Sequence, residues 1–206
     1  MKTMMMLAAS AALVAFAPAM AQNAAPMGGS TQMGGSMPMG GMPMAGSMTP
    51  QQVGASPMMG TPSATYVQMA ADSDMYEMQS SKLALTKARN AETKTFARQM
   101  IADHTKTTKS LMAALPKTEP KVRKPAMKLS ADNAAKIAQL RAASRDEFDA
   151  MYMQQQAQSH QVAWSLHKGY SQDGGDAALR QVAASAVPIV EKHVQHTQGT
   201  HDMKTM

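Results

Sequence analysis

Residues Ala91 to Pro116 read AETKTFARQMIADHTKTTKSLMAALP, and they decide the fold class. Ala97, Ile101, His104, Thr108, Leu111 and Leu115 recur at steps of three and four, so they line one face of a helix with 3.6 residues per turn. Asn90 precedes this run and Pro116 ends it, because a proline ring cannot continue the backbone hydrogen-bond ladder. A helix with one apolar face needs partners to bury it.

Working outward, the same period appears three more times. Toward the N-terminus, Tyr66, Ala70, Glu77, Ala84 and Ala88 align on a helix from Ser63 to Ala88. Toward the C-terminus, Pro116, Pro120 and Pro125 and a run of basic residues predict a long crossover to Leu129. Ser130 with Asp132 then caps a segment reaching Ala143. A helix from Arg145 to Tyr170 carries Phe148, Tyr152, Val162 and Leu166 beside Asp149, Met153, Gln156, His160 and Trp164, until Asp173-Gly174-Gly175 turns the chain. The last helix, Asp176 to His201, aligns Leu179, Val182, Ala186, Val190, His193 and Thr197, with a kink expected at Pro188. Two helix pairs joined by a long crossover predict an all-α domain over residues 63–203, an antiparallel four-helix bundle.

The segment before it has another character. A lysine, an apolar run from Met4 to Ala17 and the small-residue site ending at Ala21 predict a signal peptide over residues 1–21, hence an exported, periplasmic or secreted protein. That run is too short to span a bilayer, and no later stretch is long enough, so no transmembrane anchor is expected after cleavage. Residues 22–62 are rich in Met, Gly, Pro and Ser without apolar period, which predicts a disordered, low-complexity tether. The chain has no cysteine, which excludes disulfides and thiolate chemistry. Its net charge is +6, with a basic patch from Lys117 to Lys128. Without aromatic residues interleaved for base stacking, this patch predicts a solvated loop with at most weak contact to anionic envelope surfaces, and no nucleic-acid partner.

Three segments carry a family resemblance. They are Phe96-Ala97-Arg98-Gln99-Met100-Ile101-Ala102-Asp103-His104, then Phe148-Asp149-Ala150-Met151-Tyr152-Met153 with His160, then Val187-Pro188-Ile189-Val190-Glu191-Lys192-His193. In order and spacing they resemble exported bacterial proteins grouped as domain of unknown function 4142. The resemblance spans about residues 65–198 and implies a ferritin-like bundle, with no settled activity to carry over.

Glu77, His104, His160 and His193 place one candidate ligand on each helix. Measured from the turn at Asn90, Glu77 and His104 lie at nearly equal height at about 1.5 Å per residue, whereas His160 and His193 miss by about 7 Å from Gly174. Imidazoles with a carboxylate suit zinc, copper or iron. The plainer reading makes each histidine a hydrogen-bonded core residue. A di-iron site of the ferritin kind asks for Glu-x-x-His pairs, and Ile101 and Val190 stand where those carboxylates belong, so an enzyme of that type is not expected. His193 with His196, and His160 with His167, share helix faces and read as polar edges. In the tether, Met37, Met39, Met42 and Met44 offer paired thioethers, soft ligands for Cu(I). The functional expectation is thus metal binding in envelope stress handling; the alternative is a structural or interaction module without metal.

Overall fold

The computed structural model describes residues 47–205, with side chains as far as residue 199. The signal-peptide expectation for residues 1–21, most of the tether and all of Met37, Met39, Met42 and Met44 lie outside the described residues. Among the described residues there are helices and no strand: α1 (Pro50–Val53), α2 (Ser63–Lys87), α3 (Ala91–Ala114), α4 (Ala131–Ala142), α5 (Arg145–Asp173) and α6 (Ala177–Thr205), with a 3₁₀ turn at Leu115–Lys117. The described residues are all-α.

Helix ends follow from side-chain caps. Asn90 Oδ1 accepts from Glu92 N at 2.7 Å, and Ser130 Oγ accepts from Asn133 N at 3.3 Å. Ser144 and Glu147 form a reciprocal capping box at the start of α5. Asp176 caps α6 through Leu179 N at 2.9 Å, and its other oxygen accepts from Glu119 N at 2.8 Å, which ties the crossover to that corner. The crossover then follows α2: Gln68 exchanges two hydrogen bonds with Ala126, and Asp72 accepts from Ser130 N and Asn133 Nδ2, both at 2.8 Å. Lys87 Nζ closes the far end of α4 by donating to the carbonyls of Leu140, Arg141 and Ala143.

Helix α2 packs on α3 and α5 on α6, while α2 also meets α5 and α3 meets α6. One end of the interior is apolar, with Tyr66, Leu111, Leu166, Tyr170 and Leu179. The other holds Ala84, Phe96, Met100, Leu140, Phe148 and Tyr152. Between them lies a buried polar layer of Asp74, Glu77, Ser80, Gln156 and three histidines. Along α2 the chain meets the Tyr66 cluster first and the Ala84 cluster last; along α3 and α5 that order is reversed. The expected stripes of α2 and α6 are buried throughout. Val162 departs from its stripe and is 55% exposed, because α5 buries Ala163 and Trp164 instead. Helix α6 continues through Pro188, whose ring lies on the exposed side.

The structure corrects the tether boundary. Residues 47–62 form a strap packed along α5 and α6, with Met48 and Val53 buried beside Trp164, Val187, Val190 and Val194. Glu191 Oε1 accepts from Ser47 Oγ at 2.6 Å, Met48 N at 3.0 Å and Trp164 Nε1 at 3.0 Å. Farther along, Gln161 Nε2 donates to Val53 O at 3.0 Å and Met58 N donates to Ser165 O at 2.8 Å. The strap touches α5 at Gly169, where an added Cβ would overlap the Met58 carbonyl. A segment this short gains its order from tertiary burial, which leaves no period in its own sequence.

Candidate metal centre

His104 of α3, His160 of α5 and His193 of α6 converge in the polar layer and are 2%, 0% and 3% exposed. One nitrogen from each lies within 4.8 Å of the other two. Ring centroids are 5.9 Å apart for His104 and His160, 5.5 Å for His104 and His193, and 4.9 Å for His160 and His193. The expected height mismatch between His160 and His193 shrinks because α5 ends at Asp173 and α6 begins at Ala177. Centring the turn on Gly175 leaves about 4.5 Å at 1.5 Å per residue, within the reach of two side chains.

Each ring is fixed from behind. His104 Nδ1 bonds Asp74 Oδ1 at 2.8 Å, and Asp74 is itself held by Thr107 Oγ1 and Thr108 Oγ1, both donating at 2.8 Å. His160 Nδ1 donates to Gln156 O at 2.7 Å. His193 Nε2 bonds Asp103 Oδ2 at 3.0 Å, which also accepts from Gln99 Nε2 at 2.7 Å. The opposite nitrogens, His104 Nε2, His160 Nε2 and His193 Nδ1, are buried and have no hydrogen-bond partner. One nitrogen anchored by a carboxylate or carbonyl and the other left without a partner is the arrangement of imidazoles that ligate a metal.

Glu77 is fully buried and neither of its oxygens receives a hydrogen bond. Burial pushes its carboxyl up to about 7, against the pull of His104 and of the Gln156 amide, which lies near without hydrogen-bond geometry. Glu77 is not among the groups that meet within 4.8 Å, but its charge acts on His104. Burial and the charges of His193 and His104 hold His160 well below the usual imidazole value. Burial, with His104, brings His193 down to about 4 despite Asp103. For His104, burial pulls down, but the hydrogen bond and charge of Asp74, with Glu77, outweigh it and raise its pKa. A metal at this place would compete with a proton at His104 and would meet neutral rings at the other two.

Of the remaining histidines, His196 stacks on Phe96 with centroids 4.3 Å apart and lies outside the trio. His167 Nδ1 bonds Tyr66 Oη at 3.1 Å, one cluster away. The anchors Asp74 and Asp103 were not singled out by sequence reading. Asp103, directly before His104, is turned away from it on its own helix, and its partner His193 comes from α6.

A family profile described as Domain of unknown function (DUF4142) matches residues 48–200. The chain belongs to this family. The DUF4142 match begins at Met48, where the strap meets Glu191, and runs through all three histidines. No curated protein and no solved structure matches the chain. No helix of the described residues is long and apolar enough to cross a membrane.

Proposed function

We propose that this protein is an exported, ferritin-like antiparallel bundle that binds one transition-metal ion through His104 Nε2, His160 Nε2 and His193 Nδ1, with Glu77 as the adjacent carboxylate. The observation that carries this reading is three buried rings that bring one nitrogen each within 4.8 Å of the others, each ring having one anchored nitrogen and one buried nitrogen without a hydrogen-bond partner. Leaving such atoms unsatisfied costs about 1–3 kcal/mol each, which coordination would offset. The reversed order of apolar clusters along α3 and α5 supports the ferritin-like topology.

Three imidazoles and a carboxylate fit zinc, copper or iron, with a tetrahedral zinc as the reference case. A second iron lacks ligands here, because Asp74 and Asp103 are committed to His104 and His193. The reading is therefore ion binding in the envelope, without ferroxidase chemistry.

The test is titration of tag-free, chelator-treated protein with Zn(II) and Co(II), followed by calorimetry and by cobalt absorption. One ion per chain is expected, with the signal lost in His104→Gln/His160→Gln protein whose helical circular dichroism is unchanged. Failure to bind either ion, or equal binding by the double variant, would leave the interaction-module reading. Export is checked by the N-terminal mass of the protein recovered from the periplasm, expected to begin at Gln22.

A further inference from the structure

Beside the trio, on the Asp74 side, lies a cavity of about 120 Å³. Each water takes about 30 Å³ in the liquid, so the space suits an ion carrying part of its hydration shell. Lys106, Ser110 and Ser185 form its exposed rim, while Asp74, Thr107 and His167 line its buried floor. His167 is 6% exposed, and its one hydrogen bond joins Nδ1 and Tyr66 Oη, which leaves Nε2 for the cavity. Asp74 is the shared wall: it lines this cavity and at the same time holds His104 Nδ1.

The other approach between α3 and α6 is closed. At the height of the trio, the hydrogen bond from His193 to Asp103 spans the gap. Beyond it Phe96 stacks on His196 and packs edge-on against His193, centroids 6.0 Å apart. An open groove at Glu92, Phe96, Gln99, Gln195 and His196 therefore ends on an aromatic wall.

We propose that the cavity is the vestibule through which a transition-metal ion reaches the three imidazoles, with His167 Nε2 as its transit ligand. The proposal rests on the reading of the trio as a metal site. At the floor the buried His167 imidazole takes the place of a bound water on the ion one step before the ion arrives, while Asp74, held by His104, Thr107 and Thr108, adds negative potential and no ligand atom. Lys106 at the rim opposes the incoming cation, so uptake through this mouth depends on ionic strength.

The cysteine-free chain allows the mouth to be plugged after folding. Ser185→Cys is labelled with either iodoacetamide or a pyrene maleimide, and Co(II) uptake is followed by stopped-flow absorption. Uptake is expected to slow by an order of magnitude or more with the pyrene label and to stay near the unmodified rate with the small cap. Final cobalt stoichiometry should be equal in both. The same pyrene label on Gln195→Cys, in the closed groove, should leave the rate unchanged, and Lys106→Gln should raise it several-fold at low salt only. If cobalt saturates the protein at one unaltered rate whichever position is labelled, the vestibule is wrong and the metal site stands. If unlabelled protein takes up no cobalt, both fall.

Discussion

Asp74 governs the orientation of one imidazole, because its two oxygens bind His104, Thr107 and Thr108. Outer carboxylates of this kind typically account for 10- to 100-fold in metal affinity, so Asp74→Asn is expected to weaken Zn(II) binding by about that factor at unchanged stoichiometry. Competition against a chromophoric chelator measures it; equal affinity would remove Asp74 from the site. His167 supplies a separate pH signature. Burial lowers its pKa to about 4, so the folded protein holds it neutral while the unfolded chain protonates near 6.5. Its contribution is complete above pH 6.5 and is lost as pH falls toward 4, amounting to about 2 kcal/mol at pH 5. Urea unfolding at pH 7 and pH 5 should therefore differ less for His167→Gln than for the parent by about that amount. Parallel pH dependences would disprove it. At this scale the three converging histidines were legible because His104 and His193 sit on helical stripes, and His160 beside one. Their anchors were not, since Asp103 reaches a ring on another helix and Gln156 acts through its carbonyl.

At the scale of elements, the strap makes a prediction whose sign is informative. Glycine inside a helix is worse than alanine by about 1 kcal/mol, so Gly169→Ala in an isolated α5 would stabilise. In the protein the new methyl meets the Met58 carbonyl, and the variant should instead lose stability and open the strap. Proteolysis within residues 47–62 should accelerate while helical circular dichroism stays the same. Glu191→Ala should act likewise, since one oxygen accepts from Ser47, Met48 and Trp164. Trp164 is the single tryptophan and is fully buried, so its emission should shift to the red in both variants. The long helices and their caps could be read directly: Asn90, Ser130 and the turn before Ala177 all fall where helices begin. The strap could not, because Pro, Gly and Ser residues conceal a segment whose order depends on two buried side chains, Met48 and Val53.

For the whole molecule, a polar layer between two apolar clusters makes stability depend on what that layer binds. Ligand present at a thousand times its dissociation constant adds about 4 kcal/mol. For a domain of this size that raises Tm by roughly 10 °C. Calorimetry with excess Zn(II) should show the rise and EDTA should reverse it, whereas a variant lacking all three imidazoles should show neither. The basic crossover packs on α2 through Gln68, which exchanges two hydrogen bonds with Ala126, and Asp72, which accepts from Ser130 and Asn133, so it is a structural connection as well as a charged surface. The three imidazoles come from α3, α5 and α6, so the set is complete only once the last helix is present. A polypeptide that stops before α6 lacks His193, so an ion bound as proposed would be captured only after the last helix is made. Under the proposed function, loading would be a late event that certifies a finished molecule.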